Sequence, residues 1–300
     1  MPVIRELTLD YVNQDQWGVR GRNVLIMLAI YFGGIGGGFF LVSLFAGYAQ
    51  GALVGLLIAL IGKSITHITF LGRPERFWRA VWRPHSSWII RGFIFFGVFL
   101  LSGLGHLLPA YSAFKWLPWT NQDWFGGSFL FWLSAVTALF TITYTGFLLA
   151  RSGIPFWNNS LLPALFAAVS LYSGAGLSGF LLRLIPEAKV NKQLIEQFAL
   201  WGGIVVLALL FSYLLGSYNY NIASKRSVQS LAMNRKSAWW FYGLFLIVGL
   251  CLPLAFYLIN AAFVPVEPAL LMVLELVEVL IGALLFRYIF FRAGVFLPVY

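Results

Sequence analysis

The sequence predicts an all-α, polytopic membrane protein whose eight transmembrane helices form two four-helix bundles. Two features of composition support the membrane class. Hydrophobic residues make up 60% of the 300 residues and charged residues only 10%, and the mean hydropathy is +0.85. Soluble proteins carry about 25% charged residues. The third observation is that the apolar residues form long stretches, each able to cross roughly 30 Å of hydrocarbon.

Eight apolar stretches follow one another, separated by short polar connections. They cover about residues 23–48, 51–71, 88–109, 126–150, 161–182, 198–218, 238–262 and 268–291. An even number of spans puts both termini on one side of the membrane, called the N side below. Because no internal repeat or low-complexity tract interrupts the pattern, we expect residues 1–300 to form a single integral membrane domain. The first 20 residues do not have the pattern of a signal peptide.

The basic residues are divided unevenly between the two sides. Fifteen lie on the N side and four on the opposite side, while Lys63 lies within a span. Basic residues in short loops are retained in the cytoplasm, so we expect the N side and both termini to be cytoplasmic. The formal net charge of +10 then reflects membrane topology and does not indicate a nucleic-acid partner.

The first span contains the sequence GGIGGG at Gly33 to Gly38. Small residues at this spacing leave a helix face with almost no side chains, so a neighbouring helix or the edge of a ring ligand can approach the backbone. Both interpretations stay open, and Gly34 is the candidate for a ligand contact.

The connection from Leu71 to Trp88 alternates arginines with large aromatic residues. A short basic helix of this composition is typical of the membrane interface. It either anchors the protein at the lipid surface or pairs with carboxylates of a partner subunit. The candidate docking residues on the N side are Arg76, Arg79, Arg83 and Arg151.

Lys63 and His67 lie four residues apart on one face of the second span, below its N-side end. A lysine at this depth costs about 2.5 kcal/mol or more unless it faces water or a polar partner. Lys63 therefore either extends toward the membrane surface or belongs to a proton route or ligand site. In the second case His67 would donate to a ligand oxygen.

Two carboxylates, Glu275 and Glu278, lie near the middle of the eighth span, about one helical turn apart. Ionisable residues at this depth are candidates for function by default. The pair either exchanges protons across part of the membrane or forms a neutral, hydrogen-bonded contact between helices. Together with Lys63, these glutamates are the candidate proton path.

The histidines and the cysteine limit the redox centres that the chain can hold. A b-type haem in a helix bundle commonly needs two axial histidines at similar depth, but His67 and His106 lie near opposite faces and His85 lies in a loop. The single cysteine, Cys251, cannot supply the four that an iron–sulfur cluster takes. We therefore expect no haem, no iron–sulfur cluster and no metal site in this chain.

The stretch YTGFLLARSGIPFWNNSLLP, from Tyr144 to Pro163, closes the fourth span and opens the fifth. It gathers a phenol, a guanidinium, two amides and two large rings at one membrane edge. Such an edge suits a flat amphipathic ligand, because the rings can flank it while donors hold its oxygens. Tyr144, Trp157 and Asn158 are the expected contacts.

These elements resemble the integral membrane subunits of the polysulfide reductase family, the NrfD and PsrC type. The resemblance rests on LGRP-x-RF at Leu71 to Phe77, on Y-x-G-x-x-L and P-x-W-N between Tyr144 and Asn158, and on the glycine-rich first span. It extends to the RY and AG pairs near the C-terminus and so covers nearly the whole chain.

The resemblance implies an eight-helix subunit of an oxidoreductase complex in a bacterial or archaeal cytoplasmic membrane. Such a subunit passes electrons between a quinone, either menaquinone or ubiquinone, and a ferredoxin-like iron–sulfur subunit, often joined by a molybdopterin catalytic subunit. The family's quinone-binding tyrosine corresponds to Tyr144. With the candidates taken from the residues themselves, the expected quinone-binding residues are Tyr144, His67, Arg73, Asn158, Trp157 and Gly34.

Two departures from the family pattern shape this expectation. A histidine in the first helix of one family member corresponds to Ala29 here, so His67, Arg73 or Asn158 would supply the second polar contact. Many relatives dock a periplasmic partner, whereas the basic residues here favour the cytoplasmic side, as in complexes that oxidise sulfite or formate. A proton or ion transporter and a passive scaffold for a soluble enzyme are the competing functions.

Overall fold

The computed structural model describes residues 21–76, 88–262 and 266–295. Eight helices in these residues are long and apolar enough to cross a membrane, which confirms the predicted all-helical class. They are α1 (Val24–Phe45), α2 (Ala49–Phe70), α3 (Ile89–Ala110), α4 (Trp124–Ala150), α5 (Leu162–Leu184), α6 (Lys192–Tyr220), α7 (Trp239–Ala262) and α8 (Pro268–Ala293).

Asparagine caps extend the helical structure beyond the apolar stretches. The side chain of Asn191 accepts a hydrogen bond of 3.0 Å from the Leu194 N–H, so α6 begins at Lys192, before its apolar stretch. Asn221 accepts one of 2.8 Å from the Ser224 N–H and starts a short helix, Ile222–Ala232, on the N side between α6 and α7. The cap residues therefore set where these helices begin.

The centre of the protein is the pair α1 and α5, the two most enclosed helices, and glycines allow their backbones to come close. A Cβ at Gly36 would lie 2.6 Å from the backbone nitrogen of Ala59 in α2, and a Cβ at Gly38 would overlap the Ser170 carbonyl in α5. Such approaches leave no room for a side chain. Gly36 and Gly38 therefore serve close helix packing.

The helices enclose two apolar cores that meet at α1. Buried residues of α1 to α4, such as Phe40 and Phe99, form one core, and buried residues of α5 to α8 join others of α1 in the second. The division into two four-helix bundles, α1 to α4 and α5 to α8, stays a prediction. Helix α1 packs against α5 of the other half as extensively as neighbouring helices pack within one half.

Wider, π-helical segments occur in four of the spanning helices, inside α2 and α8 and at the start of α4 and α7. Such segments are frequent at functional sites. Two of them adjoin intramembrane charges, since one ends at Lys63 and another begins at Glu278. The four segments are Ile58–Lys63, Trp124–Phe129, Trp239–Cys251 and Glu278–Ala283.

Candidate functional site

A cavity of about 350 Å³ lies between the N-side halves of α2, α3 and α4. Its volume falls within the range of small-molecule sites, about 300–1,000 Å³. The structure brings three residues singled out from sequence, Lys63, His67 and Tyr144, to this one cavity. The lining residues are Lys63, Ser64, His67, Ile68, Leu71, Ile89, Gly92, Phe93, Phe96 and Tyr144.

The Lys63 ammonium group lies among aromatic rings. Its Nζ is 4.5 Å from the centre of the Phe96 ring and 5.9 Å from that of Tyr144. The aliphatic part passes Gly33 of α1, where a Cβ would come within 2.8 Å of Lys63 Cδ. Cation–π contacts stabilise the charge, and Lys63 forms no ion pair with another described residue. Its N–H donors are therefore available to a ligand.

His67 and Tyr144 also bring unpaired polar atoms to the cavity. The Nδ1 atom of His67 is buried and has no hydrogen-bond partner among the described residues. The Tyr144 hydroxyl likewise forms no hydrogen bond within the described part of the chain. Leaving the buried His67 nitrogen unpaired costs about 1–3 kcal/mol. A ligand whose oxygens pair with these atoms is favoured for this reason.

The Tyr144 ring is positioned by a glycine on the neighbouring helix. A Cβ at Gly92 of α3 would overlap the ring, so the absence of a side chain there lets the ring lie close to the α3 backbone. Gly92 was not among the residues predicted from sequence, although a glycine inside an apolar helix is a signal for close approach. Phe96 was also missed, and nothing in the sequence distinguishes it from the other phenylalanines.

The outer rim of the cavity faces the surrounding lipid. Ile68, Ile89 and Phe93 are 56%, 49% and 46% exposed, although each is a large apolar side chain. In a spanning protein such residues contact acyl chains. The cavity is therefore reachable from within the bilayer by a lipid-soluble molecule.

Trp157 is placed away from this cavity. It is fully buried, its Nε1–H donates a hydrogen bond of 2.9 Å to the Phe290 carbonyl, and its ring packs edge-on against Phe291 at 5.9 Å. Trp157 thus fastens the turn between α4 and α5 to the end of α8. Its neighbour Asn158 is exposed and does not line the cavity.

Trp157→Phe should lower the stability of the subunit by about 1–3 kcal/mol, because the Phe290 carbonyl loses its donor in a buried place. Thermal unfolding of the purified complex in detergent measures this change, with ligand affinity measured beside it. Unchanged stability together with weakened ligand binding would contradict the structural role and return Trp157 to the ligand site.

Gly34, Arg73, Arg76 and Arg151 are not among the residues that line the cavity. Gly34 faces the Arg287 guanidinium and the Ser170 hydroxyl. The predicted ligand contact Arg73 is exposed on the N side beyond α2, and the predicted docking residues Arg76 and Arg151 are exposed on the same side. Two further docking candidates, Arg79 and Arg83, lie outside the described residues.

Arg287, counted from sequence with the basic residues of the N side, is fully buried. Its Nη1 donates to the Ala283 carbonyl at 2.7 Å and its Nη2 to the Ser170 hydroxyl at 3.1 Å. Its guanidinium carbon lies 5.7 Å from the centre of the Tyr31 ring, and its Nε has no partner among the described residues. The side chain therefore ties α8 to α5 and α1 and is not a surface charge.

Glu275 and Glu278 are buried in α8, far along the chain from the cavity and on a different helix from any that lines it. Glu275 forms an ion pair with Arg183, and the Tyr257 hydroxyl donates to Glu278 at 3.0 Å. The cavity is lined by Lys63 but by neither glutamate. The three residues of the predicted proton path thus occupy two separate places.

Comparison with known proteins agrees with the resemblance seen in the sequence. The family described as polysulphide reductase, NrfD, matches residues 17–298. A sulfite dehydrogenase subunit of Allochromatium vinosum is 32% identical over 179 residues, which cover 56% of this chain and 51% of that protein. The match thus spans about half the length of the relative. On the extent of the family match, the chain belongs to the NrfD family of multi-pass membrane proteins.

Proposed function

We propose that this chain is the membrane anchor of an oxidoreductase complex and that it holds a quinone in the cavity between α2, α3 and α4. A partner subunit exchanges electrons with the quinone pool through this site. The observation that carries the proposal is the meeting of Lys63, His67 and Tyr144 in one apolar cavity that opens to lipid. Membership of the NrfD family supports it.

The lining fits a quinone head group in shape and in chemistry. Phe93 and Phe96 provide apolar surface for a flat ring, and the exposed rim leaves space for an isoprenoid tail in the bilayer. Lys63, His67 and Tyr144 offer nitrogen and oxygen donors for the two ring oxygens. Neither a menaquinone nor a ubiquinone is favoured by the residues present.

Reduction of a quinone to a quinol, or the reverse oxidation of the quinol, moves two electrons and two protons, with one proton at each ring oxygen. The protein must therefore supply donors where negative charge develops. The ammonium group of Lys63 stabilises that charge, and the Tyr144 hydroxyl holds one ring oxygen in place. His67 exchanges a proton with the other oxygen and with the N-side surface, which lies about one helical turn away.

The electrons come from, or go to, a partner on the N side. The exposed arginines Arg73, Arg76 and Arg151, with Arg79 and Arg83, offer guanidinium groups to the carboxylates of such a partner. We propose a ferredoxin-like iron–sulfur subunit here, with a molybdopterin subunit beyond it. The distribution of basic residues favours docking in the cytoplasm, at a bacterial or archaeal cytoplasmic membrane.

The name of the relative indicates a candidate reaction for the complex. A subunit of a sulfite dehydrogenase suggests oxidation of sulfite by the catalytic partner. Electrons would then flow toward the quinone. The relative is matched over about half its length, so sulfite is the first substrate to test and formate the second.

Gly92→Val should lower quinone-linked turnover about tenfold or more, because a side chain at this position displaces the Tyr144 ring. The displaced phenol no longer donates its hydrogen bond to the quinone, which is worth about 1.5–3 kcal/mol where charge develops, and 1.36 kcal/mol is tenfold in rate. The measurement is turnover of the purified complex against quinone concentration.

Gly97→Val is the matched control for this experiment. Gly97 lies on the same helix, and no atom comes within 4 Å of a Cβ built there. Both changes carry the same helix-propensity cost. Equal losses in both variants would point to α3 stability, and wild-type kinetics in Gly92→Val would refute the proposed site.

A further inference from the structure

A second and larger cavity, of about 710 Å³, lies on the side opposite to Tyr144. It is enclosed by the opposite-side ends of α5, α6, α7 and α8, and we call it the vestibule. Its lining includes the polar residues Arg183, Lys192, Glu196, Asn260 and Glu275. Polar cavities of this size hold water. The vestibule therefore brings water to a carboxyl group deep in α8.

Glu275 forms the inner wall of the vestibule. Its side chain is only 3% exposed, and its Oε1 accepts a hydrogen bond from Arg183, whose side chain is 22% exposed. The other oxygen, Oε2, is buried and has no partner among the described residues. Glu275 thus has one oxygen held by a cation and one available to a water molecule or a proton.

Glu278 lies beyond Glu275, about one helical turn deeper. Its Oε2 accepts a hydrogen bond of 3.0 Å from Tyr257, which also lines the vestibule. The other oxygen of Glu278, Oε1, has no partner among the described residues. It lies close to Gly176 of α5, where a Cβ would be 3.1 Å from this oxygen. The Glu278 carboxylate is therefore connected to the vestibule through a phenol at one oxygen, and its other oxygen is available to a water molecule or a proton.

We propose that the vestibule, Glu275, Tyr257 and Glu278 form a proton half-channel from the opposite side to the centre of the membrane. The inference rests on the proposed quinone chemistry, which it extends to proton movement. A proton leaves the Glu278 carboxyl group, passes through the Tyr257 hydroxyl or a water molecule, and binds the Glu275 carboxylate. Glu275 then releases it to vestibule water as its ion pair with Arg183 re-forms, and the reverse steps return a proton from vestibule water to Glu278.

The charged and titratable groups around the two carboxylates fit this role. Arg183 and Tyr172 approach from α5, Glu196 from α6 and Tyr257 from α7. Among the described residues, one cation faces Glu275, whereas two phenols and the other carboxylate face Glu278. The outer carboxylate is therefore suited to be ionised and the inner one to carry a proton.

The half-channel ends at Arg287. Its Nη1 binds the Ala283 carbonyl, five residues beyond Glu278 in α8, and its guanidinium lies against Gly34. A fixed cation in a narrow passage repels protons and other cations. Lys63 contacts the adjacent residue, Gly33, from the side of the quinone cavity. Arg287 therefore blocks a leak, and charge changes in the quinone cavity act on the half-channel electrostatically.

The first test is labelling by a charged, membrane-impermeant thiol reagent in the intact complex, reconstituted with a known orientation. In a Cys251→Ser background, single cysteines replace Gln193, Gln197 and Leu200, which line the vestibule along one face of α6. All three should react from the opposite side only. Val205→Cys is the control, because Val205 is 46% exposed yet outside the vestibule. An unreactive cysteine at position 200 would show that the vestibule holds no water and overturn the proposal.

The second test is proton movement during quinone-linked turnover in proteoliposomes. Glu278→Gln and Glu275→Gln should abolish the proton uptake or release at the opposite side that accompanies a single quinone turnover. Glu267→Gln, an exposed glutamate outside the vestibule lining, should keep the wild-type number of protons exchanged per quinone. Quinone affinity should stay unchanged in all three variants. The wild-type number of protons in Glu278→Gln, or a wild-type complex that turns over quinone with no proton exchange at the opposite side, overturns the half-channel. Neither result affects the quinone site, which Gly92→Val tests separately.

Discussion

Tyr144→Phe lowers quinone-linked turnover of the intact complex about 10- to 100-fold. The phenol hydroxyl lies at the proposed quinone site and has no partner among the described residues. A hydrogen bond to a group that develops charge contributes about 1.5–3 kcal/mol, and each 1.36 kcal/mol is tenfold in rate. The ring itself remains, so the packing against Gly92 is kept and the complex assembles normally.

Two measurements separate loss of the hydroxyl from loss of the complex. Activity with a soluble dye, which accepts electrons from the partner directly, should stay at the wild-type level. Tyr242→Phe, on the lipid-exposed surface of α7, should match wild type in both assays. Unchanged quinone kinetics in Tyr144→Phe would favour a passive scaffold over a quinone-binding subunit.

Arg287→Ala should prevent stable folding of the subunit. The change empties a fully buried site and removes the donors to the Ala283 carbonyl and the Ser170 hydroxyl. Large-to-small changes in a packed core cost about 3–5 kcal/mol, a large part of the total stability of most proteins. The measurement is the yield and thermal unfolding of the complex after purification.

Two further variants show whether the packing or the charge of Arg287 matters. Arg292→Ala changes an exposed arginine of the same helix and should have little effect on stability. Arg287→Met keeps most of the volume, so it should fold, and without the cation it should let protons leak across the membrane. Normal stability of Arg287→Ala would contradict the position of this side chain in the core.

The spanning helices could be predicted from the sequence because their signal is local. Each apolar stretch is long enough to cross the hydrocarbon, and hydropathy alone locates it. The start of α6 at Lys192 depends instead on the cap formed by Asn191, which lies outside the apolar stretch. The division of the helices into bundles depends on contacts of α1 with both halves, and hydropathy carries no such information.

Individual residues that line the cavity could be predicted from the sequence, but their arrangement around one cavity could not. Lys63, His67 and Tyr144 each stand out as polar groups in apolar helices, yet only the packing of α2, α3 and α4 brings them to one cavity. Trp157 is close to Tyr144 in sequence but packs against the end of α8. The prediction that the turn between α4 and α5 contacts the ligand therefore relied too much on closeness along the chain.

The burial of Arg287 near the end of α8 could not be predicted from the sequence either. Arg287 lies six residues before the end of α8 at Ala293, a distance at which an arginine usually reaches the membrane surface. It stays in the core because Gly34 has no side chain and Ser170 offers a hydroxyl. Both neighbours come from other helices, so no local pattern reveals the contact.

The most direct test of the quinone site is photoaffinity labelling of the intact complex with an azido-quinone, followed by mass spectrometry of the labelled peptides. The cavity between α2, α3 and α4 predicts labels within residues 63–71, 89–96 or at Tyr144, and their loss when unlabelled quinone is in excess. Labels confined to other helices, or to the partner subunits, would contradict the central claim.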